Sequence, residues 1–250
     1  MSDVGRFRTA ARRLARWCGY AITHRTHVAR RFLDHPPSSA FDLILLHCYP
    51  ELRKLNFIQI GANDGQRADP IARYLESCAW SGLMFEPLTA NHAALVQRHR
   101  TNPGLTIRRA AVDTVTGRRT MYDVDRRRYP NLPDWAYGLG SFSRDRVVTA
   151  VRELGLDVQA VVSEEIEAIT WREIWRDFGP RRCDILVLDT EGYDLMLLRA
   201  AGLSDARPRL IHFEHACVDL SDRLAFYHEL ISLGYELATD GPDTTAWLRA

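Results

Sequence analysis

The chain has 250 residues, is 46% hydrophobic and 26% charged, and carries a formal net charge of +1. That length suits one well-packed domain, or one domain with an appendage. So balanced a charge offers no overall field to a nucleic acid, and no apolar run approaches the ~20 residues of a membrane span.

The charge balance hides a local asymmetry. The first 31 residues carry Arg6, Arg8, Arg12, Arg13, Arg16, Arg25, Arg30 and Arg31 against Asp3. Residues 5–33 read as a basic helix, because Phe7, Ala11, Leu14, Ala15, Cys18, Ala21 and Ile22 recur at three- and four-residue steps. Such a helix can rest on anionic lipid. Its stripe is poor in large residues, so packing on the main domain with a solvated basic face is the favoured reading. A cytoplasmic protein is expected, peripheral to a membrane in the lipid reading. The five cysteines are scattered and form no CxxC pair, so neither a zinc site nor a disulfide framework is suggested. The N-terminus also lacks the apolar core of a secretory signal.

His35-Pro36-Pro37-Ser38-Ser39 breaks the basic helix. A short apolar helix over 41–49 follows, and residues 1–50 are read as a helical extension to a domain over 51–250. Within that domain strands and helices alternate. Strands are expected over 57–60, 83–85, 105–112, 120–124, 185–188 and 210–213. Helices are expected over 70–79, 90–100, 193–201 and 223–233. Residues 235–238 and 245–248 read as a closing hairpin. This pattern predicts an α/β fold, Rossmann-like, whose sheet is mostly parallel with an antiparallel edge hairpin.

Four strand ends carry the chemistry. The first strand, Phe57-Ile58-Gln59-Ile60, ends in Gly61-Ala62-Asn63-Asp64-Gly65. Small residues there let the chain turn sharply and let a ligand approach. The spacing is not GxGxxG, since Asn63 replaces the second glycine and Gln66 the third. A pyrophosphate is therefore disfavoured, and a nucleotide-dependent oxidoreductase with it. A cofactor with a carboxylate and an adenosine is compatible with the loop. The second strand ends in Glu86-Pro87, about twenty residues beyond the turn, where an acid can accept both hydroxyls of a ribose.

The third strand end is Asp189-Thr190-Glu191-Gly192-Tyr193-Asp194, after the apolar run Ile185-Leu186-Val187-Leu188. Asp189 is the first candidate for a general base. Asp189 and Glu191 are also a candidate pair for a hard divalent cation, although no metal is firmly expected. Asp194 reads as a helix N-terminal acid favoured by the dipole. The fourth strand end is His212-Phe213-Glu214-His215, which supplies His215, His212 and Glu214 as rival bases. Between residues 129 and 143 an insert brings Trp135, Tyr137 and Phe142 among Gly138 and Gly140. Aromatics on a glycine-punctuated loop can stack on a sugar or macrocycle and close over it.

In order along residues 52–250, these segments resemble the FkbM family of S-adenosylmethionine-dependent methyltransferases. The resemblance rests on residues 57–65, Phe85-Glu86-Pro87, Ala110-Ala111-Val112 with the Gly117 turn, Gly140-Ser141-Phe142, residues 185–194 with Leu198, and residues 210–214. The sequence departs where Leu186-Val187-Leu188 replaces a stretch in which the family often carries a lysine. It departs again at Thr190 and Tyr193, where valine and alanine are frequent.

The resemblance implies a seven-stranded class I methyltransferase sheet, with methyl transfer to an oxygen of a sugar or polyketide-like molecule. By that analogy Gly61, Ala62 and Gly65 surround the methionine part of S-adenosyl-L-methionine. Ile60, Asn63 and Asp64 belong to the same turn, Glu86 with Pro87 takes the ribose, and residues 110–113, including Ala111 and Asp113, lie near the adenine. Asp189 then stands beside the cofactor, with Asp189, Glu191 and His215 as catalytic candidates and Trp135, Tyr137, Ser141 and Glu214 as acceptor contacts. The expected partner is a small-molecule or glycan acceptor and no nucleic acid. A protein that binds the cofactor without catalysis, acting through its basic helix, is the second reading.

Overall fold

The computed structural model describes residues 37–249. The basic segment 5–33 lies outside the described residues. The first element is α1 (Ala40–Cys48), whose N-cap Ser39 accepts from the Asp42 backbone N–H. Phe41, Leu45, Leu46 and Cys48 of α1 pack in one core with Phe57, Trp80, Met84, Ile185 and Leu210. That core thus reaches back beyond position 51, where the sequence reading opens the domain. Buried Asp42 ties α1 down, accepting from the Tyr74 hydroxyl (2.6 Å) and pairing with Arg73 (2.9 Å).

The sheet is built from β1 (Asn56–Ile60), β2 (Ser81–Phe85), β3 (Leu105–Arg108), β7 (Ile185–Leu188), β8 (Leu210–Glu214), β9 (Tyr235–Asp240) and β10 (Asp243–Leu248). Their order is β3-β2-β1-β7-β8-β10-β9. β1 lies at the centre, parallel to β2 on one side and to β7 on the other. Both of its faces are covered, so Phe57 to Ile60 are all buried without alternation, Gln59 included. β10 runs antiparallel between β8 and β9, which closes the sheet with the expected hairpin.

Helices cover both faces. On one side lie α1, α2 (Ala72–Ser77) and α3 (Thr89–His99). On the other lie α5 (Trp171–Phe178), α6 (Asp194–Ala200), α7 (Leu203–Ala206) and α8 (Leu220–Ser232). Trp171 fixes α5 to α6 by donating its indole N–H to the Leu197 carbonyl (2.7 Å).

Between β3 and β7 the chain builds a second sheet. Its strands are β4 (Ala111–Val112), β5 (Gly117–Val124) and β6 (Val161–Ile169), in the order β4-β6-β5. The helix α4 (Arg144–Glu153) packs on it through Val147, Ala150 and Val151. The single strand expected over 105–112 is therefore two strands in two sheets. Strand β6 and helices α4 and α5 have no counterpart in the sequence reading. In β6 the glutamates Glu164, Glu165 and Glu167 obscure the alternation, and glutamate is a poor strand former. No helix among the described residues is long and apolar enough to cross a membrane.

Candidate active site

The carboxyl ends of β1, β2 and β7 open into one cleft of about 680 Å³, counted to its mouth. Its floor is the turn after β1. Gly61 adopts φ +77, and a Cβ there would overlap the Asp189 backbone carbonyl oxygen. The glycine therefore lets β1 and β7 approach at their ends. The Gly61 and Ala62 N–H groups both donate to the Phe85 carbonyl (3.0 Å each), which stitches the turn to β2.

Glu86 is buried at the end of β2. Its Oε2 accepts from the Asn63 backbone N–H (2.9 Å) and its Oε1 from that of Leu88 (2.9 Å). Burial pushes its pKa up to about 7, despite those two bonds and the nearby Arg126 guanidinium. The Asn91 side chain also bonds this carboxylate, so one of its four lone-pair sites stays open. Ala110, Ala111, Val112, Leu88 and Met121 give this end of the cleft an apolar lining.

At the far end Asp189, Thr190, Glu191 and Tyr193 form the wall. Burial raises the pKa of Asp189 well above the carboxylate range, and Asp194, Glu191, Glu214 and Asp243 push it the same way. Burial also raises Glu191, opposed by the Arg146 guanidinium at 2.7 Å. Asp194 is fully buried and turned inward, accepting from the Thr190 N–H (3.1 Å) and hydroxyl (2.7 Å). The roof comes from the insert, as Gly138, Gly140 and Phe142. Phe142 meets Tyr193 edge-on at 5.5 Å, which joins roof to wall.

Of the cofactor residues read from the sequence, Ile60, Gly61, Asn63, Glu86, Pro87, Ala111 and Asp189 line the cleft. Four others do not. Ala62 is in the core, and Asp64 caps its own loop, accepting from the Gln66 and Arg67 N–H groups (2.9 Å each). Gly65 faces α3, where a Cβ would meet Leu95 at 2.6 Å. Asp113 is buried against Arg119 and accepts from the Thr114 N–H (2.7 Å).

The acceptor candidates divide more sharply. Trp135 is 51% exposed and outside the cleft. Tyr137 turns its hydroxyl to the Pro130 carbonyl (2.7 Å), and its ring lies under Arg67. Ser141 spends both backbone groups on Tyr122. His215 and His212 are also absent from the lining. His215 Nδ1 bonds Thr244 (2.9 Å) and His212 Nδ1 bonds Thr245 (2.9 Å), and burial lowers both pKa values. Glu214 stands behind the wall, where its carboxylate groups with Glu191 and Cys217. This is a grouping of metal-type side chains without Asp189, and the Arg146 guanidinium already bonds Glu191 and Cys217.

Leu88, Asn91, Met121, Thr190, Tyr193 and Arg146 were missed from sequence. Leu88 and Asn91 follow Pro87 directly, so the strand-end argument could have reached them. Met121 sits in β5 of the second sheet and Arg146 in α4, where no ligand motif marks them.

A sheet in the order β3-β2-β1-β7-β8-β10-β9, which reads 3-2-1-4-5-7-6 when only its own seven strands are numbered along the chain, with its cleft beyond the carboxyl ends of the central strands, defines a Rossmann-like class I methyltransferase fold. The sequence matches the methyltransferase FkbM domain model over residues 59–237, and the chain belongs to that family. By family it is an S-adenosylmethionine-dependent methyltransferase, and the oxidoreductase reading falls away.

Among solved structures it is similar to methyltransferase FkbM from Methylobacillus flagellatus KT, at 15% identity and a TM-score of 0.46. That match covers 78% of this chain and 43% of the other, so the protein spans less than half the length of that relative. It is also similar to precorrin-6y C5,15-methyltransferase from Geobacter metallireducens GS-15, at 12% identity and a TM-score of 0.42, covering 82% and 86% of the two chains. No curated protein sequence matches the chain.

The residues present fit S-adenosylmethionine. Glu86, held by two backbone N–H groups and the Asn91 side chain, keeps a lone pair for a ribose hydroxyl, and the apolar lining suits a planar base. Asn63 Oδ1 is buried and without a hydrogen-bond partner among the described residues, as expected of an atom that waits for a ligand donor.

Proposed function

We propose that the protein is an O-methyltransferase that methylates a hydroxyl of a small molecule or sugar. One observation carries this reading. Two carboxylates, Asp189 and Glu191, stand together on the wall opposite the ribose acid, where an acceptor would meet the methyl group. A hydroxyl must shed its proton as it is methylated, and a placed carboxylate supplies ~10²–10⁴-fold by taking it.

The bound cofactor supplies an electrophilic methyl on a positively charged sulfur. The chain supplies the rest. The Asn63 turn and Glu86 fix one end of the cleft, and the Phe142–Tyr193 contact roofs the other against water. Alignment of acceptor oxygen, methyl and sulfur is worth ~7–11 kcal/mol. As the oxygen–methyl bond forms and the sulfur–methyl bond breaks, the hydroxyl proton passes to a carboxylate.

Two acids in different surroundings take different roles. Burial and the neighbouring acids favour the protonated form of Asp189, whereas the Arg146 guanidinium works against burial to favour the charged form of Glu191, so Glu191 is the carboxylate assigned to take the hydroxyl proton. Methyl-labelled S-adenosylmethionine tests the reading, with an extract as the source of acceptor. Label in an ether linkage of a glycan or small-molecule fraction is expected. Label confined to N-methyl groups, protein or RNA would sink it.

A further inference from the structure

We propose that Arg146 is the positioning residue of the acceptor site, the guanidinium that, alone among the described residues, aims the Glu191 carboxylate into the cleft. This rests on the reading of Glu191 given above. Arg146 belongs to the inserted unit, yet its side chain crosses to the main sheet. Its Nη2 donates to Glu191 Oε2 (2.7 Å) in the turn after β7 and to Cys217 Sγ (2.6 Å) in the turn after β8. One side chain thus ties together three segments that surround the acceptor end.

Three independent features show that the space is built for this contact. Gly192 adopts φ +95, and a Cβ there would meet Arg146 Nη1 at 2.9 Å and Cys217 Cβ at 3.0 Å, so the glycine opens the path of the guanidinium. A Cβ at Gly138 would come within 3.2 Å of Glu191 Oε1, so the carboxylate is bounded by the roof on one side and Arg146 on the other.

The third feature is the position of Arg146 itself. Ser143 caps α4 by accepting from the Arg146 N–H (3.4 Å), which places Arg146 at the third helical position. Serine at the cap favours glutamate at that position, and the helix dipole disfavours a cation there. A locally unfavourable residue that makes two long-range contacts is what a site residue looks like. Glu191 itself sits at φ +56, a conformation that needs outside support.

The test compares Arg146→Ala, Arg146→Lys, Glu191→Gln and the exposed control Arg144→Ala, each as the full chain. Amide hydrogen exchange is read over residues 190–193 and 215–218. Arg146→Ala should speed exchange there by about tenfold, the loss of a charge-assisted hydrogen bond, with Arg146→Lys between it and wild type. Unchanged exchange in Arg146→Ala overturns the proposal, whether or not an acceptor is known.

Labelled methyl transfer is the second readout. Arg146→Ala should lower it by roughly a hundredfold through kcat, with S-adenosylmethionine affinity retained, and Arg146→Lys should restore part of it. Adding Glu191→Gln to Arg146→Ala should cost little more, because the two act as one unit. Additive losses, or no rescue by lysine, would overturn the positioning role. Faster exchange with no methyl transfer by wild type would instead count against the O-methyltransferase reading alone.

Discussion

The backbone N–H of Asn63 donates to Glu86 Oε2 across 2.9 Å. The turn after β1 and the acid ending β2 are therefore one ligand-holding unit, and the bond orients the carboxylate before any ribose arrives. The cost of that arrangement is a buried acid, whose pKa rises from 4.5 to about 7 through burial.

The sign of its pH dependence follows. Between pH 4.5 and about 7 the folded protein keeps a proton on Glu86 that the unfolded chain has lost, so this group's stabilising contribution falls as pH rises through that window. Relative to wild type, Glu86→Gln should gain on the order of 2–3 kcal/mol between pH 5 and pH 8, read from urea unfolding at each pH. Its affinity for S-adenosylmethionine at pH 8 should fall roughly tenfold, through loss of a charged acceptor. Equal pH profiles for the two proteins would contradict the burial argument.

Gly61 admits no side chain. A Cβ would collide with the Asp189 carbonyl, and the positive φ adds strain. Gly61→Ala should cost about 2–4 kcal/mol in denaturant unfolding and separate β1 from β7 at their ends. An alanine variant of native stability would show that the two strand ends are further apart.

Asp113 and Arg119 form a pair of unequal partners, the aspartate buried and the arginine half-exposed. Arg119→Met strands a buried charge and should destabilise by about 2–4 kcal/mol, while Asp113→Asn should cost less, since Arg119 reaches solvent. Neither should shift cofactor affinity by more than ~0.5 kcal/mol, because Asp113 does not line the cleft. Calorimetric titration with S-adenosylmethionine checks this, and a large loss of affinity in Asp113→Asn would restore Asp113 to the cofactor site.

His212 is held neutral between Thr245 and the Phe41 ring, with its pKa lowered to about 4 by burial. Its contribution to stability is present above pH 6.5 and is lost as pH falls toward 4. His212→Gln should therefore lose less stability than wild type between pH 7 and pH 4.5, and it should leave methyl transfer within about threefold. A collapse of activity with intact stability would return the histidine to catalysis.

The cofactor half of the molecule was legible from sequence because parallel strands buried on both faces leave short apolar runs, and each run ended in residues with little other use. Gly61, Glu86 and Asp189 stood out for that reason. Histidines mislead in such a reading. His212 and His215 sit at a strand end, but the Nδ1 of each is absorbed by Thr245 and Thr244 from the neighbouring strand, a pairing invisible along the chain. The second sheet, between β3 and β7, was harder still, because it is half-exposed and glutamate-rich and its periodicity is weak. One signal was present and unread, the capping box of Thr170 and Glu173 that starts α5. Arg146 carried no motif, because its importance arises from where α4 is placed.

The roof owns a separate apolar cluster of Val124, Ala136, Leu139, Val147, Ala150, Val151 and Ala160, apart from the two that sandwich the large sheet. Natural selection can therefore act on the two halves at different rates. On the proposed reading, substitutions in that cluster, between residues 124 and 160, would reshape the acceptor side while the two cores of the large sheet keep their packing; Met121, which packs on Leu88 and Ala111, belongs instead with the cofactor side. Descendants of such a chain would diverge first in acceptor and last in cofactor. Swapping this stretch between relatives is accordingly the shortest laboratory route to a new specificity.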